Sequence, residues 1–307
     1  MFLFIIRRIV QTIPVIIGVT LAVFLIMYLS PGDPARIMAG EGADPAQIEQ
    51  MRENLGLNDP WYQQYFRFVS DAAQGDLGSS IRTNRDVVNE IFDSRFWITV
   101  QLAILGTGLA VVFGLIVGII SATRKYSVLD VTLMLIALFG LSMPNFWLGI
   151  MLIYFFSVNL GWLPVAGWDT WQQMILPTFT LGTVGAAIIA RMTRSSMLEV
   201  LDQDYIRTSH AKGVSERVVI YKHALKNALI PVVTVVGLQF GSLLGGAVVT
   251  EQIFAINGLG RLIIDSIRAQ DFPMVQGAVL VCALLFVLVN TIVDISYRYL
   301  NKRIDLS

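Results

Sequence analysis

The residues able to do covalent chemistry are few and scattered. The chain of 307 residues has two histidines, His210 and His223, and neither has metal-type spacing or a carboxylate-rich shell. No Gly-Lys pair occurs, so there is no Walker A loop to cradle a nucleotide's phosphates. A G-x-S-x-G nucleophile elbow and an H-E-x-x-H helix are also missing. The single cysteine, Cys282, lies in an apolar stretch and reads as a small core residue. Gly258, Leu259 and Gly260 lack the third glycine and the preceding strand of a dinucleotide fingerprint, and read as a turn. What remains is a concentration of charge. Arg207, Lys212, Arg217, Lys222 and Lys226 fall in the polar run 199–231, with Arg191 and Arg194 just before it.

The elements around that run are apolar. With 55% hydrophobic residues, 14% charged residues and a mean hydropathy of +0.67, this is a membrane chain, long enough for about six spans of ~20 residues. Net charge is zero, so no bulk field favours nucleic acid. Arg7 and Arg8 precede an apolar run over 9–29. That run is too long for a signal-peptide core and lacks a small-x-small cleavage site, so it reads as an uncleaved first span. The second span, about 97–121, carries Gly106, Ala110, Gly114 and Gly118 in register, and Arg124 and Lys125 follow it. The third, about 131–158, contains Pro144, expected to kink or interrupt it. Three tryptophans and no Lys or Arg follow over 159–173, as an outer interface should have.

The fourth span, about 175–192, is rich in small residues. The fifth, about 229–251, carries Gly237, Gly241 and Gly245 in register. An amphipathic stretch broken by Gly258 and Gly260 comes next. The sixth span, about 273–295, ends in Arg298, Lys302 and Arg303. Cations thus gather on one side, which places both termini and the run 199–231 in the cytoplasm. The longest hydrophilic stretch, 30–95, lies outside. It opens on Pro31, Gly32, Asp33 and Pro34, has a helix start at Asp44-Pro45, and continues in an aromatic helical segment with Trp61, Tyr62, Tyr65, Phe66 and Phe68.

The run 199–231 reads as two helices joined at Gly213, with Ser215 as N-cap of the second. Leu198, Leu201, Tyr205 and Ile206 outline one apolar stripe; Val214, Val218, Val219, Tyr221, His223 and Leu225 outline another. A solvated connector needs no such stripes, so a docking element for a cytoplasmic partner is the favoured reading.

These residues resemble the coupling loop of ABC-importer permeases of the dipeptide/oligopeptide branch. There a general Glu-Ala-Ala-x-x-x-Gly pattern appears as Arg-Thr-Ala-x-Ala-Lys-Gly. Here it stands as Arg207, Thr208, Ser209, His210, Ala211, Lys212 and Gly213, with Ser209 in place of Ala and Arg207 in place of Glu. The likeness extends over nearly the whole chain, including the opening PGDP and the late VVTEQIFAINGLGRLIIDSI.

The resemblance implies an all-α integral membrane protein of the type I ABC importer permease fold, with six transmembrane helices. Its segments would be 1–30, the N-terminus and first span; 31–95, an external subdomain; and 96–307, a core with the coupling loop at 193–228. It also implies half of the pore of an ATP-driven importer for di- or oligopeptides in a bacterial or archaeal plasma membrane, with glutathione permeases as close relatives. Asp204, Tyr205, Arg207, Thr208, Ser209, His210, Ala211, Lys212, Gly213, Val214 and Ser215 would dock in a nucleotide-binding subunit. The implied partners are a homologous permease, two ATPases holding ATP and Mg, an external solute-binding protein and the bilayer. This chain would bind no cofactor and catalyse nothing.

Small-residue faces fit either tight helix packing or a path for a peptide; Gly237, Gly241 and Gly245 are the path candidates. Glu251, with the bend from Phe254 to Arg261, is a candidate outer gate. The rival class is an ion-coupled carrier, which needs titratable groups near the midplane. The span centres have none. Glu251 and Asp294 sit near span ends; Asn290 and Asp294 share a helical face, as do Asp294 and Arg298, which reads as a structural pair near the cytoplasmic interface.

Overall fold

The computed structural model describes residues 2–29, 32–40 and 42–300, and its regular elements there are all helices. The side chains of Asp294 and Arg298, and residues Pro31, Lys302 and Arg303, lie outside what is described. Helix α1 (Phe2–Tyr28) turns Val10, Ile13, Ile17 and Ile26 outward, as a lipid-facing helix does. Two short capped helices follow. In α2 (Pro34–Ala39) the Ala35 N–H donates to the Asp33 carboxylate (3.1 Å). In α3 (Pro45–Asn54) Pro45 takes the first position, as the sequence predicts, and Ala46 N–H donates to Asp44 (3.1 Å). Helix α4 (Trp61–Ala73) lays Tyr65 and Phe68 against Phe24 of α1 and leaves Trp61, Tyr62 and Phe66 exposed.

Helix α5 (Val87–Glu90) runs through a π-type turn (Ile91–Arg95) into α6 (Phe96–Thr123). The helix leading into the second span therefore begins before residue 97. Asp86 caps it, accepting from Asn89 N–H (2.9 Å), and Val87 and Ile91 are fully buried. The third span is interrupted. Helices α7 (Val128–Ser142) and α8 (Asn145–Leu152) meet at 103°, with Met143 extended because the proline ring disfavours a helical residue before it.

Helix α9 (Trp171–Leu201) has 31 residues and passes through Pro177 without a break. Helices α10 (Asp204–Ala211) and α11 (Glu216–Val218) come next, then a π-type turn (Val219–Ala224) that leads into α12 (Leu225–Ile253). Helix α13 (Leu259–Arg268) and helix α14 (Phe272–Leu300) complete the order. Gly258 interrupts the chain before α13, but Gly260, expected to break it too, is buried inside that helix. Among the described residues five helices are long and apolar enough to cross a membrane, or six if the bent pair α7–α8 is one span.

Internal contacts group the chain into two compact units, Met1–Thr99 with Asn257–Leu288 and Val100–Ile256 with Val289–Ser307. This cut differs from a division at residue 96, because Leu259, Leu262, Met274 and Ala278 share a core with Val87 and Ile91. Cys282 packs on that core. In the second unit the glycine face of α6 meets α9. A Cβ on Gly106 would lie 3.1 Å from Leu181, one on Gly114 2.6 Å from Ile189 and one on Gly118 2.5 Å from Thr193. Conversely, a Cβ on Gly182 would lie 2.7 Å from the Gly106 carbonyl oxygen. Tight packing is what this face does.

Candidate functional site: the polar arm

Helix α9 stops at Leu201 with no proline or glycine to end it, and the chain turns through Asp202 and Gln203 into α10. Ile206 holds α10 in place. It is 2% exposed and packs with Met197 of α9, Ala122 of α6, and Val219, Ala224 and Ala228 on the returning leg. Asp204, Tyr205, Arg207, Thr208, His210, Ala211 and Lys212 are exposed, and Ser209 is half-buried. The Thr208 and Ser209 hydroxyls donate back to the carbonyls of Asp204 (2.9 Å) and Tyr205 (2.8 Å).

Gly213 ends the helix with φ +73°. Val214 N–H then reaches the Ser209 carbonyl (3.2 Å), which satisfies a helix end that would otherwise be bare. Two side-chain ties close the arm. The Asn227 amide donates to the Tyr205 hydroxyl (2.8 Å), and His210 Nδ1 lies 3.5 Å from Glu216. Ser215 sits at the N-cap of α11, but its side chain makes no capping bond.

The first predicted stripe divides: Ile206 points inward, Leu198 and Leu201 line the same cluster, and Tyr205 is exposed. The second is also split. Val219, Val214 and Leu225 join the cluster, whereas Val218 and Tyr221 are exposed. Tyr221 falls inside the π-type turn, whose wider turn shifts side chains around the axis relative to α-helical spacing, while Val218 stands ahead of it at the exposed end of α11.

The pore candidates lie in different surroundings along α12 and at its end. A Cβ on Gly237 would collide with Val293 of α14, so this glycine permits a helix contact. Gly241 is buried, while Gly245 faces open space. Glu251 and Phe254 are both buried, at 0% and 1% exposure. The Phe254 carbonyl accepts from Gly167 N–H (3.0 Å), and its ring lies 3.3 Å from where a Cβ on Gly149 of α8 would be.

Beside the arm is a cluster the sequence reading missed. Asp130, in the first turn of α7, is 2% exposed and takes two bonds from Arg194 of α9. The signal was available. An aspartate at the mouth of one apolar run and an arginine at the end of another each need a partner when buried.

Residues 114–306 match the family described as binding-protein-dependent transport system inner membrane component, and residues 1–103 match the N-terminal part described for the same systems. The chain belongs to this family of multi-pass membrane permeases of ABC importers, and the ion-coupled carrier reading falls. It is 48% identical over 301 residues to the glutathione transport system permease protein GsiC of Escherichia coli K12, covering 98% of both chains. It is 47% identical over 326 residues to the dipeptide transport system permease protein DppB of Alkalihalophilus pseudofirmus, covering 97% of this chain and 98% of that one.

Two solved structures share the fold. An inward-facing form of the MetNI methionine ABC transporter matches with TM-score 0.58 and 21% identity, over 67% of this chain and 94% of that one. An amino acid ABC transporter with histidines matches with TM-score 0.55 and 15% identity, over 68% and 93%.

Proposed function

We propose that this chain forms half of the translocation pore of an importer for short peptides, dipeptides or glutathione among them, and that α10 is the piece a cytoplasmic ATPase grips. One observation carries the reading: a charged helix stands almost wholly exposed, is fixed by Ile206, and is continuous through its legs with α9 and α12. A partner's groove could take its bare faces without unfolding anything. The names of GsiC and DppB, both carriers of short peptides, support the substrate class. The full assembly would hold a homologous second permease, two ATPases with ATP and Mg, and an external solute-binding protein. Hydrolysis on the ATPases supplies the free energy; this chain supplies the arm, the spans and the path. To switch a two-state permease almost fully, that energy must shift the equilibrium by about 5.5 kcal/mol.

Gly245 is the proposed path residue, since it faces open space, and Glu251 with Phe254 the proposed gate. Reconstituted uptake of a dipeptide and of glutathione tests the function. It should collapse when ATP is withheld and survive a protonophore; uptake that persists without ATP would overturn the reading. Glu251→Gln should change uptake or its pH profile, and an unchanged profile removes the gate.

A further inference from the structure

The arm meets the spans at a buried polar joint. Arg194 Nε and Nη2 each donate to one oxygen of Asp130, both at 2.7 Å. The Ser121 hydroxyl at the end of α6 donates to the same carboxylate, as does Tyr126 N–H (3.0 Å) in the α6–α7 turn. Asp130 N–H in turn donates to Ser127 Oγ (3.1 Å), capping α7. Tyr126 has φ +63°, a conformation unfavourable for a residue with a Cβ, and the carboxylate holds its N–H there. One aspartate thus ties α6, the turn, α7 and α9 together.

Stability alone does not demand such a joint. A buried ion pair is a poor source of folding energy compared with apolar packing, while a parallel two-bond arginine fork fixes distance and angle. Its location gives the reason. Arg194 lies one helical turn before Met197 and Ser121 directly precedes Ala122, and Met197 and Ala122 both contact the cluster that receives Ile206. Displacement of α10 therefore arrives beside this joint from two sides.

We propose that Asp130 and Arg194 are positioning residues that make the inner ends of α6, α7 and α9 move as one body, so that force applied to α10 is transmitted to the spans instead of bending α9 alone. The proposal rests on α10 being the gripped element. The test uses the whole complex in proteoliposomes, comparing wild type with Asp130→Asn, Arg194→Lys and Ser121→Ala. Uptake and ATP hydrolysis are measured together, and ATPase co-purification reports assembly.

Asp130→Asn and Arg194→Lys should leave the ATPases bound and hydrolysing while substrate imported per ATP falls about tenfold, within the usual range of coupling energies. Lysine keeps the charge but cannot form the fork, so its failure to rescue separates geometry from charge. Ser121→Ala leaves the ion pair intact and, with one hydrogen bond lost, should lower the same ratio by about threefold; it decides the matter if the charge variants do not assemble. Wild-type uptake that ignores ATP would sink the importer reading itself. A coupled wild type, with variants at the wild-type ratio or with uptake and hydrolysis falling in proportion, overturns the joint alone.

Discussion

The polar stretch between α1 and α5 and the arm between α9 and α12 are both excursions from apolar spans, yet they are held in opposite ways. The first is fastened to its own unit. Asp33 and Asp44 cap helices, Arg67 pairs with Asp59, Tyr65 bonds Thr20, and the buried Asp271 carboxylate takes the Ser80 hydroxyl together with Ile81 N–H (3.2 Å). The arm has a charged helix held by Ile206, which sits in a buried cluster with Val219 and Ala224, and side-chain ties that are mostly solvent-exposed. The difference teaches a rule of use. A segment that must keep its shape alone satisfies its polar groups internally, whereas the arm leaves most of its own facing solvent.

The contrast can be broken at four places, in falling order of effect. Ile206→Ala removes the arm's buried anchor at about 3 kcal/mol, a large share for so small an element. Trypsin should then cut at Arg207 and Lys212 far faster in inside-out vesicles, and the ATPases should be lost on purification. An unchanged cleavage rate would mean the cluster does not hold the arm. Asp271→Ala strands the Ser80 hydroxyl and Ile81 N–H, for about 2 kcal/mol. It should open the 79–86 turn to protease added outside and leave the arm untouched.

Gly213→Val forces a β-branched residue into positive φ at about 1–2 kcal/mol. Nothing lies within 4 Å of the added Cβ, so the penalty is backbone strain alone, and Gly213→Asn should retain most ATPase binding. Equal loss in both variants would point to a direct partner contact. The smallest effect belongs to Asp33, whose carboxyl the Arg52 guanidinium (2.6 Å) holds below the usual carboxylate range. A lowered folded value means the pair's contribution is present above the unfolded value of about 3.9 and is lost as pH falls through the folded one. The thermal midpoints of wild type and Arg52→Gln should therefore differ near neutrality and converge in acid.

Much of this was legible in the residues. Pro144, Gly213 and the Asp44-Pro45 pair act through the backbone, so each marks a local break or start that no distant contact overrides. The glycine register of α6 was equally plain, although its partner, α9, is set by tertiary packing. What escaped depends on context. The end of α9 at Leu201 has no breaker. The π-type turn at Val219–Ala224 has no signature that periodicity detects, and Tyr221 within it faces outward although the spacing puts it on the apolar stripe. Asp130 stands just before the third apolar run, and its value lies in Arg194, 64 positions away, which no local pattern reveals.

The close approach of α6 and α9 has a mechanical corollary. With added Cβ atoms on Gly118 and Gly182 each falling 2.7 Å from a carbonyl oxygen of the facing helix, neither rod can slip along the other without collision. Two laminated beams that cannot shear are far stiffer than the same two lying loose. A push at one end should therefore emerge at the far face with little of its travel lost to flexure.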